Sequence, residues 1–154
     1  MTKHPGNPWW SQANDVPIVP SDLEAWNEAR AAGHITVEHV LLRLEAIVRV
    51  ALDQPVDGGA AYDEDGFVRA LVAAGWSGEG GWRVQLHPND HDPPHVHFRD
   101  KGDPKKEIRL SLATGEPLAG EAIPVGVKKK LARAGDFILE NQDLLMSRWR
   151  EYHG

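Results

Sequence analysis

Cysteine is absent from the 154 residues, which removes disulfides, thiolate nucleophiles and Cys-type zinc sites together. No run of 18 apolar residues occurs, and the opening "MTKHPGNPWWSQANDVPIVP" is Pro-, Gly- and Asn-rich where a signal peptide would be apolar. These absences predict neither a membrane span nor a cleaved secretion signal, and they suit a cytoplasmic protein. Positive charge is scarce at the start. Residues 1–79 hold 5 Lys or Arg against 12 Asp or Glu, whereas residues 80–154 hold 12 against 11. The first half therefore has no electrostatic reason to hold a phosphate backbone, which argues against a helix-turn-helix DNA reader there. A P-loop, an HExxH cluster and a Ser-His-Asp order are also missing.

What is present divides into three parts. Residues 1–20 read as an irregular arm with prolines at 5, 8, 17 and 20, whose Trp9 and Trp10 are expected to lie over the body of the protein or a partner. Residues 21–76 read as a helical module. Ser21 and Glu24 have capping-box spacing, Leu23, Trp26 and Ala29 form an apolar side, and Gly33 ends the first helix. Thr36 caps a second helix with Ile35 and Val40 as a hydrophobic staple. Val37, Val40, Leu41, Leu44, Ile47, Val48 and Ala51 follow helical intervals, opposite Glu38, Arg43, Glu45 and Arg49. A third helix is expected over "EDGFVRALVAAG", capped by Asp63 and closed by Gly75. The glycine-rich "SGEGG" at 77–81 reads as a joint.

After the joint the period changes from helical to alternating. "WRVQLH" (82–87), "HVHFR" (95–99) and "KEIRLSL" (106–112) each alternate apolar and polar residues, and a fourth short strand around 117–119 would return beside the third. Val96, Phe98, Ile108, Leu110 and Leu112 share the inward face; His95, His97, Arg99, Glu107, Arg109 and Ser111 share the outward one. A small antiparallel sheet with one apolar face needs a cover. The C-terminal helical region, 124–149, supplies it, with a break expected at Gly135 and Asp136. The predicted class is α+β: a sheet of three to four strands covered by C-terminal helices, with a helical N-terminal extension. The α+β domain runs over 82–152.

Four of the eight histidines fall in "HPNDHDPPHVHF", residues 87–98. On a strand, His95 and His97 project the same way, and His91 with Asp90 or Asp92 can complete a three- or four-point ligand set. Imidazole and carboxylate suit a divalent transition metal such as zinc. The predicted metal set is Asp90, His91, His95 and His97. The same imidazoles can work without metal as general acid and base, with Arg99 or Arg109 stabilising a phosphate or oxyanion; the catalytic set is then His91, His95, His97 and Arg99. A structural reading stands beside both, in which the histidines bond to loop carbonyls and hold a proline-rich turn. "VKKKLAR" at 127–133 gathers Lys128, Lys129, Lys130 and Arg133 at what reads as a helix start. That is either a solvated face or a surface for an acidic partner or nucleic acid.

The segments "NDHDPPHVHF" (89–98), "RLSLATGEPLAG" (109–120) and "NQDLLMSRWREY" (141–152) resemble, in order, the hallmarks of the small bacterial domain-of-unknown-function family 4160. The resemblance covers about residues 82–152 and leaves the N-terminal 80 uncovered. By motif it singles out Asp90, His91, Pro93, Pro94, His95 and His97, and for turns and packing Gly115, Gly120 and Trp149. Where the family tends to place Trp and then His in its helical region, this chain has Phe137 and lacks the histidine, so no role of that histidine transfers. The family resembles others encoded beside toxin–antitoxin-like genes. The resemblance thus implies a component of a bacterial toxin–antitoxin-like or stress-response system that binds a cognate protein or a nucleic acid. Self-association is compatible with it, and no membrane partner is expected. The alternative is a small metal-dependent or histidine-based hydrolase or ribonuclease using His91, His95 and His97.

Overall fold

The computed structural model describes residues 2–52, 60–62, 65–71, 82–86, 93–100, 103–118, 123 and 125–153. The arm is an ordered strap. Strands β1 (Trp10–Ser11) and β2 (Val16–Pro17) form a small antiparallel hairpin. Its turn passes through Asp15 at φ 54°, a left-handed conformation that Asp tolerates better than most residues. Asp15 secures it by accepting from the Lys3 amide and the Trp10 indole, both at 2.8 Å. Trp10 is buried, and Trp9 packs on the core from its margin.

Helix α1 (Leu23–Ala31) starts one residue later than the capping-box spacing implies, because Asp22, not Ser21, accepts from the Ala25 amide at 2.8 Å. Helix α2 (Val37–Leu52) follows Thr36 as expected. Its first turn is closed by His39, whose Nδ1 accepts from the Thr36 amide at 3.0 Å, the reciprocal bond that Glu or Gln makes in a capping box.

The expected third helix is not formed. Strand β4 (Val68–Leu71) pairs antiparallel with β3 (Ala60–Tyr62) in its place. A helix from Asp63 would have to pass through Gly66, which sits at φ 82° with no room for a Cβ: one would come 2.6 Å from the Arg43 carbonyl oxygen. Asp63 itself, Gly75 and the 77–81 joint lie outside the described residues.

Strands β5 (Trp82–Gln85), β6 (His95–Asp100) and β7 (Asp103–Ser111) form an antiparallel sheet in the order β5-β6-β7. Val84 stands opposite Phe98, which stands opposite Ile108, so the apolar positions coincide across all three strands. Among the described residues the expected fourth strand is represented by a bridge between Leu110 and Pro117, with the Leu118 amide bonded to the Arg109 carbonyl.

The C-terminal region breaks into α3 (Val125–Lys130), α4 (Ala132–Glu140) and α5 (Gln142–His153). The breaks fall at Leu131 and Asn141, not at Gly135 and Asp136. Gly135 stays inside α4 because its small size is used for packing against Gly115. Helix α2 lies against β5 and also against α4 and α5. One apolar core consequently runs from Trp26, Val40, Leu44 and Ile47 through Val96, Phe98, Leu110 and Leu112 to Phe137, Ile138, Leu145 and Trp149. Ion pairs Arg30–Asp143 (2.7 Å) and Glu38–Arg148 (2.8 Å) tie the first two helices to α5. No helix among the described residues is long and apolar enough to cross a membrane.

Candidate histidine site on the central strand

β6 is the central strand, and the alternation His95, His97, Arg99 places the two imidazoles on one face beside Ser111, Arg109 and Glu107 of β7. That face was expected to be open. It is closed here, with His95 5% and His97 9% exposed. The Trp149 ring lies 5.5 Å from that of His95. The Pro93–Pro94 pair delivers the chain to the strand, and the Pro94 carbonyl takes the Leu112 amide at 3.0 Å.

The two rings form a connected chain. His95 Nδ1 lies 2.7 Å from the Pro93 carbonyl oxygen, so it carries a proton and donates. His95 Nε2 and His97 Nε2 are 3.1 Å apart. His97 Nδ1 lies 3.4 Å from Glu107 Oε1. Arg99 then donates through Nε (3.0 Å) and through a second nitrogen to the other oxygen, Glu107 Oε2. Partial burial pushes the Glu107 carboxyl up, but the bonds from Arg99 and the fields of His97 and Arg99 outweigh it and hold it below the ordinary 4.5. Glu107 is thus an ionised acceptor aimed at an imidazole. Sequence reasoning placed Glu107 on the correct face without seeing this role, which the β6–β7 register creates.

His91 and Asp90, predicted with His95 and His97 as metal ligands and, for His91, as a catalyst, lie outside the described residues. Among the described residues no group of three or more His, Asp or Glu side chains is placed to hold a metal. Arg99 is directed at Glu107 and is not an unengaged phosphate ligand. The predicted basic surface separates. Lys128 and Lys129 are exposed, the Lys130 side chain lies outside what the structure describes, and Arg133 is bound to Asp65 (2.7 Å) and Glu140 (3.0 Å). The lysines close α3, where positive charge suits the helix dipole, instead of opening a long helix.

Two further features escaped the sequence. Arg43, expected on the polar side of α2, is 1% exposed, with its guanidinium 4.7, 4.1 and 4.7 Å from the ring centroids of Trp26, Phe67 and Phe137. Its Nε donates to the Asp65 carbonyl at 2.8 Å. On another side of the molecule, Val16, Pro17, Leu41, Leu42 and Val84 line a groove of about 440 Å³ bordered by Glu38 and Glu45. Leu42 and Val16 remain 42% and 47% exposed. Glu45 accepts from the Val84 amide at 3.2 Å, on the outer edge of the sheet, and burial pushes its carboxyl above 4.5 despite Arg83 and that bond.

No curated protein and no solved structure matches the chain. The β5–β6–β7 sheet and the helices after it overlap a match to one family model, described as "Domain of unknown function (DUF4160)", which spans residues 81–150.

Proposed function

We propose that this protein is the partner-binding component of a bacterial toxin–antitoxin-like or stress-response system, and that it takes a cognate protein in the groove between β2, α2 and β5. The observation that carries the reading is the groove itself. Five apolar side chains from three elements line it, its rim is acidic, and Leu42 and Val16 stay substantially exposed. Such a groove suits an apolar segment flanked by Lys or Arg. A protein partner is preferred over nucleic acid because Arg30, Arg99, Arg133 and Arg148 all sit in ion pairs and the chain carries a net charge of −6. The test is co-expression with the products of the genes flanking its own, followed by calorimetry on any complex and growth assays with each gene alone and together. Leu42→Asp is expected to weaken the complex at least about tenfold without changing the circular dichroism. Equal affinity of that variant, or absence of both binding and a growth effect, would end this reading.

A hydrolase or ribonuclease reading is favoured by one observation, the imidazole chain from His95 through His97 to Glu107. It predicts cleavage of RNA or a simple phosphodiester that vanishes in a His95→Ala/His97→Ala variant with normal folding. The low exposure of both rings is what this reading must overcome.

A further inference from the structure

One wall of the groove stands on the strap and the others on the body. Leu41, Leu42 and Glu45 belong to α2 and Val84 to β5, whereas Val16 and Pro17 belong to β2. The groove is therefore complete only while the strap lies against the body. Among the described residues, two hydrogen bonds join residues 2–20 to the rest of the chain. Asn7 Nδ2 donates to the His34 carbonyl at 2.8 Å, and His39 Nε2 donates to the Trp9 carbonyl at 2.6 Å. The second lies at the base of the hairpin, because the same Trp9 oxygen takes the Ile18 amide at 2.9 Å, directly after β2. Burial of Trp10 and the packing of Trp9 and Val19 on the core supply the apolar part of the attachment.

His39 is fully buried in the first turn of α2, under the strap, with its ring 5.8 Å from that of Trp10. The neutral ring suits that place: Nε2–H serves Trp9, and Nδ1 accepts from the Thr36 amide at 3.0 Å. A second proton leaves the bond to Trp9 intact. Its cost arises elsewhere. The new N–H on Nδ1 opposes the Thr36 amide, and although the Thr36 hydroxyl oxygen at 2.9 Å can accept it, the amide then loses its acceptor. The charge also lies at the positive end of a helix and away from water. Glu38, beside it on α2, attracts the charge but is itself held by Arg148 of α5 at 2.8 Å, and His4 of the strap repels it. Burial outweighs the attractions. Water reaches the charged ring once the strap that covers it is lifted.

We propose that the strap is an acid-released wall of the groove: a proton on His39 lifts the hairpin off α2, and Val16 and Pro17 leave the groove with it. The consequence for a partner rests on the reading of the groove given above, whereas the lifting itself does not. A partner seated against Val16 and Pro17 holds His39 neutral, so by reciprocity a proton on His39 weakens the partner's hold.

The chain has no cysteine, so Ala13→Cys with Arg150→Cys, both at exposed positions, carries one spin label on the hairpin and one on α5 without background. Pulsed electron paramagnetic resonance on the full chain, with no partner present, should give one distance at pH 8. A second, longer distance should grow toward pH 5.5, its ratio to the first rising by at most about tenfold per pH unit below 6.5. The Leu42 and Val84 methyl resonances should shift with the same midpoint as the labels and as the His39 ring followed by 15N NMR. In His39→Gln the distances should be the same at both pH values. Unchanged distances in the parent chain, an unchanged pH response in His39→Gln, or moving labels with unmoved Leu42 and Val84 methyls would each overturn the proposal. Coincidence of the three midpoints decides the matter even where the Gln variant does not fold. Failure to find a partner ends the reading of the groove as a partner's seat, and leaves the movement of the strap to stand or fall on these spectra.

Discussion

Gly115 and Gly135 meet backbone to backbone: a Cβ on either would come within 2.4 Å of the other's carbonyl oxygen. The contact seats the turn after β7 directly on α4. Ala at position 135 would normally gain about 1 kcal/mol of helix propensity over Gly. Here the clash is with backbone on both sides, which cannot swing away, so the clash outweighs the propensity. Gly135→Ala should destabilise the fold by about 2 kcal/mol or more, read as a lower urea midpoint at unchanged slope. Gly115→Ala should cost at least as much, because Gly115 also sits at φ 74°. A neutral Gly135→Ala would show that the helix and turn can part without penalty.

His39 links the arm to α2 and gives that link a pH dependence. Its Nδ1 accepts from Thr36 and its Nε2 donates to the Trp9 carbonyl at 2.6 Å, which the neutral Nε2–H tautomer satisfies completely. Burial pushes its pKa below 6.5, assisted by His4 and outweighing the opposite pull of the Trp9 carbonyl and Glu38. The unfolded ring therefore takes a proton first as pH falls. The contribution of His39 is complete above about 6.5 and declines below it, down to the depressed folded value. The protection factor of the Ile18 amide, which bonds to the same Trp9 carbonyl at 2.9 Å, should fall as pH is lowered through that window. His39→Gln keeps an acceptor for the Thr36 amide, so its acid dependence in that window should flatten while the link to Trp9 weakens by about 1 kcal/mol. An unchanged pH profile in the variant would remove His39 as the cause.

Arg43 is held by the faces of three aromatic rings from α1, the 65–67 turn and α4, so its stem and guanidinium fill space as well as carry charge. Arg43→Ala should cost about 3–5 kcal/mol, from the cavity and the lost cation–π contacts together. Arg43→Met, close in volume and favourable against rings, should recover a large part of that loss. Arg43→Lys should not behave as a conservative change, since an ammonium cannot stack in the plane the guanidinium occupies. Chemical denaturation of the three variants tests the ranking; a Lys variant as stable as wild type would contradict it.

The sheet was legible because alternation survives in one sequence: Val96, Phe98, Ile108, Leu110 and Leu112 are all buried as their period requires. What alternation does not encode is whether the other face is covered. His95 and His97 lie on the polar face and are nonetheless enclosed. Their link to Glu107 was hidden for a second reason. Continuing the Asp100–Asp103 register would set His97 opposite Lys106, but the register shifts between Arg99 and Asp100 and sets it opposite Arg109, with Glu107 opposite Arg99. Arg43 was misplaced because α2 packs on the sheet and on α4 and α5 at once, so the side of the helix that looks polar also faces protein. The third helix failed at Gly66, whose left-handed backbone ends any helical path. Strands β3 and β4 fall inside the stretch expected to be helical, and the shared core shows that α2 serves the sheet as much as its own half.

Glu45 separates stability from binding. Its carboxyl is pushed above 4.5 by burial, which outweighs the Arg83 charge and the Val84 amide. The unfolded carboxyl loses its proton first as pH rises. Stability therefore falls from about 4.5 up through the raised folded value and stays lower beyond it. Above that range the ionised carboxylate is a cost the fold carries. Glu45→Gln keeps an oxygen for the Val84 amide and removes the charge, so at pH 8 the variant should melt higher than wild type, and the difference should shrink toward pH 4. The same substitution leaves the apolar groove wall intact but neutralises half of its acidic rim. A partner with a basic flank should then bind more weakly, with a shallower dependence on salt. Weaker binding by a more stable variant cannot be a consequence of unfolding. If instead stability and affinity fall together, Glu45 supports the edge strand and the groove does not select its partner by charge.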